Sequence, residues 1–229
     1  MSASAPTLTP RQSALTAGIS LLLIAVAAGF AYGYVHGNLI IPDDLSATVA
    51  NLRASEFLFR FSIGVWLMIL LLDVVAAWAL YRYLAPVHQD LSLLTAWLRV
   101  VYAVFLAIAI IAYMVVLLLL QKPIDETGAV SEQIGLFLGA FSKAWSVGLI
   151  IFGAHLLLLG FLVWRSGFVP KWLAVLIVIA AFSYLLVHKG FLFFPDVAAV
   201  AKVESILAIP MAIGELAFAV WLVVKGGKA

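Results

Sequence analysis

Asp73, His155 and Glu215 are the side chains of this 229-residue sequence best suited to chemistry in an apolar setting. Each stands inside a long apolar run, where a charge at the centre of a bilayer costs at least about 2.5–3.5 kcal/mol. Residues placed at that cost are the first candidates for function. Asp73 lies nine residues from Arg82, His155 ten from Arg165 and Glu215 ten from Lys225. A helical rise of 1.5 Å per residue puts all three about 14–15 Å deep, near a bilayer midplane. One imidazole and two carboxylates on three different helices therefore occupy one layer. Two chemistries suit such a set. It could bind and pass a small molecule or ion, the acids and imidazole exchanging protons with it. Alternatively, the three could hold a divalent metal, since one histidine and two carboxylates suit a hard or borderline cation. Open metal positions would then permit hydrolysis or group transfer inside the membrane. The plain structural alternative is a set of interhelical hydrogen bonds with no ligand.

Helical spacing extends the layer. Ser62, Trp66 and Ile69 share the face of Asp73; Gly148 and Phe152 share that of His155; Glu204, Ala208 and Met211 share that of Glu215. Pro210 precedes Glu215 by little more than a turn and predicts a kink there. Glu56, Arg60, Lys143, Lys189 and Glu204 form a second, outer polar layer, read either as a vestibule or as interfacial pairing, with Glu56 and Arg60 spaced to pair at i,i+4. His36, His88 and His188 fall near the membrane surfaces and are read as interfacial.

The elements that must carry these residues are transmembrane. Hydrophobic residues make up 66% of the chain and charged ones 10%, against about 45–50% and about 25% in soluble domains. The excess is too large for one core and calls for a lipid bilayer as partner. Runs of about 20 apolar residues, each enough to span, predict an all-α polytopic bundle of six spanning helices in a single transmembrane domain. Their bounds are about 13–35, 44–84, 91–120, 132–165, 171–188 and 203–225. Residues 44–84 would make one helix of about 60 Å, twice the hydrocarbon thickness, with its mixed-polarity start on or beyond the interface. Pro42-Asp43-Asp44, Ala85-Pro86, Lys122-Pro123 with Gly128, Ser166 to Pro170 and Phe194-Pro195-Asp196 supply the breaks, and either aspartate can cap the next helix. A rival reading takes the first segment as a secretory signal cleaved after Ala25-Val26-Ala27. Glycines and serines recurring through the fourth helix permit close packing and place it at the bundle centre.

Charge sets the expected orientation. One face collects Arg11, Arg82, Arg99, Arg165, Lys171, Lys225 and Lys228, with Asp90 its one acid. The other mixes Arg53, Lys122, Lys189 and Lys202 with Asp43, Asp44, Glu56, Asp125, Glu126, Glu132, Asp196 and Glu204. The positive-inside rule puts both termini in the cytoplasm. Trp78, Tyr81, Tyr83, Trp97, Trp164, Trp172 and Trp221 cluster at the same ends, as a headgroup belt does. The net charge of +2 is scattered, which argues against a nucleic-acid partner. Cysteine is absent, which removes disulfides and thiolate metal sites. Phosphate-loop, nucleophile-elbow and dinucleotide-binding motifs are absent too.

Several short motifs belong together. They are Ile41-Pro42-Asp43-Asp44 with Ala47-Thr48, Ser55-Glu56 and Phe59-Arg60; Asp73 with Ala79-Leu80-Tyr81; Gly153-Ala154-His155; Arg165-Ser166-Gly167-Phe168 with Pro170; and Gly214-Glu215 with Trp221-Leu222 and Lys225-Gly226. In these the chain resembles, from about residue 17 to 226, the bacterial membrane family called domain of unknown function 4386. The resemblance implies a six-helix protein of the bacterial inner membrane and carries no catalytic assignment. The sequence thus points first to a protein that binds or transports a small molecule or ion. A metal-dependent membrane hydrolase or transferase, or a sensor or accessory subunit acting through partner helices, are the alternatives.

Overall fold

A computed structural model describes residues 8–123, 128–193 and 198–228. Asp125, Glu126 and the Phe194-Pro195-Asp196 break lie outside the described residues. Seven helices account for the rest: α1 (Pro10–Leu39), α2 (Leu45–Ala54), α3 (Glu56–Leu84), α4 (Gln89–Leu120), α5 (Ala129–Ser166), α6 (Lys171–Phe193) and α7 (Ala198–Val224). All but α2 are long and apolar enough to cross a membrane. Their mid-helix apolar side chains point outward, Leu71, Val104, Ile111 and Phe182 among them. Water does not tolerate so continuous an apolar surface on a monomer, whereas lipid does.

The spanning helices close into a ring. Helix α1 packs on α3, α3 on α4, α4 on α5, α5 on α6, α6 on α7, and α7 returns to α1. Close approach at two seams comes from glycine. A Cβ at Gly153 or Gly160 of α5 would lie 2.8 and 2.6 Å from Leu185 and Val178 of α6, and one at Gly148 would lie 2.9 Å from Phe105 of α4. The fourth spanning helix is thus one stave of a ring, not its hub: its glycines serve its flanks, and a cavity occupies the middle. Ring closure at the terminal end is polar. Arg11 donates to the carbonyls of Leu222, Val223 and Gly226 at 3.2, 2.6 and 2.7 Å, answering the unpaired carbonyls that end α7.

The expected helix over 44–84 is two. Asp44 caps α2, its Oδ1 accepting from Ala47 N at 2.8 Å, and Ser55 leaves helical geometry (φ −123°, ψ 35°). A single 60 Å rod would carry its mixed-polarity start far beyond the membrane; the break lets α2 lie against α5 through Leu45, which faces Gly135. The first span is also irregular, running through a π-helical segment at Gly29–His36. Helix α7 stays helical through Pro210.

Candidate functional site

The middle layer is built around Arg99. Its Nη2 lies 2.6 Å from Oδ1 of Asp73. Its Nη1 lies 3.4 Å from Nε2 of His155, and its guanidinium carbon sits 5.1 Å from the ring centre of Phe152. The other imidazole nitrogen, Nδ1, is 2.8 Å from the Thr95 carbonyl. A carbonyl only accepts, so Nδ1 carries the proton and Nε2 turns its lone pair to Arg99. Asp73 and His155 are fully buried and Arg99 is 1% exposed. The cation that joins Asp73 to His155 is therefore a guanidinium from α4.

Arg99 is therefore not one of the surface bases that the charge pattern suggests. The helix begins at Gln89, so Arg99 lies ten residues in, about 15 Å by helical rise, level with the other three. The sequence did contain a signal. Ser92, Thr95, Arg99 and Tyr102 recur at three- and four-residue intervals on an otherwise apolar helix, and all four are buried.

A metal held by Asp73, His155 and Glu215 does not fit this arrangement. Both nitrogens of His155 are engaged, Asp73 is matched by Arg99, and Glu215 bonds elsewhere. Among the described residues no group of three or more His, Asp or Glu is placed to hold a metal ion.

Glu215 faces the central cavity, half-buried, with Oε1 accepting from Tyr184 Oη at 3.2 Å. The cavity measures about 640 Å³ and draws its walls from all six spans. Asp73, Arg99 and Glu215 all line it, whereas His155 sits behind Arg99. Of the face-sharing residues, Trp66, Ile69, Phe152, Glu204, Ala208 and Met211 contribute to the lining. Apart from the Asp73 oxygen in the ion pair, five buried polar atoms of lining residues have no hydrogen-bond partner: Asp73 Oδ2, Arg99 Nε, Trp66 Nε1, Trp145 Nε1 and His188 Nε2. Buried polar groups are nearly always satisfied, so each such atom calls for an explanation.

The outer layer divides. Lys143 and Glu204 line the cavity, Lys143 Nζ donating to the Phe191 carbonyl at 3.3 Å. Glu56 and Arg60 pair with each other at 2.6 Å on the exposed surface, and Lys189 is exposed. The histidines differ from an interfacial reading too. His188 is buried, lines the cavity and meets Ser146 Oγ at 3.0 Å. His36 meets the buried Tyr113 hydroxyl at 2.7 Å. His88 keeps a surface role, capping α4 by accepting from Leu91 N at 3.3 Å.

Comparison with known proteins gives a family and a relative. The family described as Domain of unknown function (DUF4386) matches residues 16–226. A protein of Archaeoglobus fulgidus, described as "Uncharacterized protein", is 37% identical over 166 residues, covering 72% of this chain and 83% of its own. No solved structure matches.

Proposed function

We propose, for a chain that belongs to the DUF4386 family, that it binds a small molecule in its central cavity and carries it across the membrane. Its location is then the cytoplasmic membrane, with both termini inside. The observation that carries this reading is the cavity itself: about 640 Å³, large enough for a drug-sized ligand. Its walls are mostly apolar, with a few convergent polar groups, as small-molecule sites are. A bundle held together only by buried hydrogen bonds needs neither such a void nor unpartnered polar atoms around it.

The Arg99 constellation acts here as a fixed scaffold. It is closed off from the molecule's exterior, its charges are matched, and Asp73 lines the cavity with a carboxylate oxygen, Oδ2, that has no hydrogen-bond partner. Glu215 is the working acid: half-buried, on the cavity wall, and able to hold a proton or a ligand in turn. A carboxylate that alternates between the two is the simplest coupling device available at this depth.

Gly33 permits a direct test. It lines the cavity, and a Cβ built on it meets nothing within 4 Å. Gly33→Phe therefore has room for its Cβ and sets a bulky ring at the cavity wall. Native mass spectrometry of the protein released from nanodiscs, after incubation with the small-molecule extract of its host membranes, should show a bound species in the unaltered protein. Gly33→Phe should lose that species while melting at the same temperature. Equal adducts in both forms would remove the cavity from the account.

A further inference from the structure

We infer that the cavity takes an amphipathic organic cation, with Glu215 as its counter-ion. The inference rests on the cavity being a ligand site, as proposed above, and adds the chemistry of what fills it.

The lining carries more acid than base. Asp73, Glu204 and Glu215 are its acids, Arg99 and Lys143 its bases. Arg99 is matched by Asp73 at 2.6 Å, and its remaining Nη faces His155. Its planar face is covered by Phe152. An incoming anion finds no unmatched positive charge here: Arg99 Nε has no hydrogen-bond partner, but Asp73, buried with the guanidinium at 2.6 Å, neutralises it. Lys143 sits at the outer end, turned to the Phe191 carbonyl. What remains on the wall is carboxylate. Glu215 has a neutral phenol for company, and Asp73 presents an oxygen, Oδ2, that no donor satisfies. Both acids need a positive or hydrogen-donating group from the cavity side.

Aromatic placement agrees. Tyr184, which bonds Glu215, stands edge-on to Phe152 at 5.3 Å and stacks with His188 at 6.0 Å. Across the cavity, Trp145 meets Tyr32 at 4.8 Å and Trp66 at 5.2 Å. Aromatic rings in the same cavity as a carboxylate suit an ammonium or other bulky cation, through ring quadrupoles and ion pairing together; Tyr184 stands at Glu215 itself, and Tyr32, Trp66 and Trp145 line the same space. The apolar part of the ligand has Leu21, Ile24 and Met211 to lie against.

The experiment uses three probes of comparable bulk and different charge: tetraphenylphosphonium, the neutral triphenylphosphine oxide, in which an oxygen replaces one phenyl, and tetraphenylborate. Each is equilibrated by dialysis against full-length protein in nanodiscs, with empty nanodiscs subtracted. The phosphonium should bind saturably. Gly33→Phe should abolish that binding. Glu215→Gln should weaken it about tenfold or more, the scale of one lost ion-pair contact in a desolvated site. Ala208→Lys is the second charge variant, two turns before Glu215 on the same face and on the cavity wall. It should exclude the phosphonium and spare the neutral oxide, so the inference does not depend on the folding of Glu215→Gln alone. Two results overturn it in distinguishable ways. If the oxide or the borate binds as tightly as the phosphonium and is lost on Gly33→Phe, the cavity stands and the cation does not. If no probe responds to Gly33→Phe, the cavity reading fails and this inference with it.

Discussion

Arg99 and Asp73 are each costly alone in an apolar interior and tolerable together. The pair is buried, so removing one partner leaves an unmatched charge. Arg99→Leu should therefore destabilise the protein by about 3–5 kcal/mol, and Asp73→Leu by a comparable amount. The double variant Asp73→Leu/Arg99→Leu should recover most of either loss, because two apolar side chains fill the space without a stranded charge. Unfolding of the bicelle-reconstituted protein by dodecyl sulfate reads all three. A double variant no more stable than the sum of its singles would mean that the two do not act as a pair. Arg99→Leu also strips the donor from His155 Nε2, but the Asp73 it strands can take up a proton as a stranded arginine cannot, which keeps the two single losses comparable. This residue marks where sequence reading stopped. Asp73, His155 and Glu215 stood out because each interrupts a run of apolar residues far from any loop. Arg99 stands nearer the start of a segment longer than a bilayer is thick, so its depth was ambiguous. Only its partner on a different helix resolves the ambiguity, and partners across helices are not written in one chain's periodicity.

At the scale of elements, six spans were legible because hydropathy integrates over about 20 residues and tolerates local irregularity. Two features were not. Ser55 carries no proline or glycine, so nothing in residues 44–84 marks the break that separates α2 from α3. The π-helical turn in α1 is a backbone irregularity without a compositional signature of its own, though π-bulges frequently sit at functional sites, and Gly29, Tyr32 and Gly33 within it line the cavity. Packing of α7 on α6 is the seam most open to test. A Cβ on Gly214 would lie 2.7 Å from the Leu176 carbonyl oxygen, a backbone atom that cannot swing aside. Gly214→Ala should push α7 outward, cost about 1–3 kcal/mol as overpacking does, and loosen the adjoining Glu215–Tyr184 contact. Gly139→Ala makes the control: nothing lies within 4 Å of its Cβ, and helix propensity alone predicts a gain of up to about 1 kcal/mol. Thermal melts in a single detergent compare them. Equal losses in both would show that the contact at Leu176 yields.

For the whole molecule, the ring explains how a chain so rich in apolar residues can hold a polar centre: every stave gives one face to lipid and another to the cavity. The ring has an even number of spans, so Arg11 of α1 and the end of α7 meet on one side. Which side that is depends on charge. With Arg99 moved into the interior, the terminal face still keeps Arg11, Arg82, Arg165, Lys171, Lys225 and Lys228 near its helix ends. The positive-inside rule needs only that bias. Trp78, Trp97, Trp164 and Trp172 point outward at the same level, and Lys171 lies over the Trp164 ring at 5.0 Å, both in keeping with a headgroup zone. Tyr83 does not join that belt; it is buried against Phe168. The chain's lack of cysteine makes orientation directly measurable, because any introduced thiol is the sole target. Ser46→Cys on α2 and Gln89→Cys at the start of α4 are both exposed and lie at opposite ends of the spans. In intact cells an impermeant maleimide should label Ser46→Cys and leave Gln89→Cys untouched until the membrane is permeabilised. The opposite pattern would turn the molecule over. Glu204 and Lys143 would then face the cytoplasm, and any ligand the cavity holds would have to be loaded from within the cell.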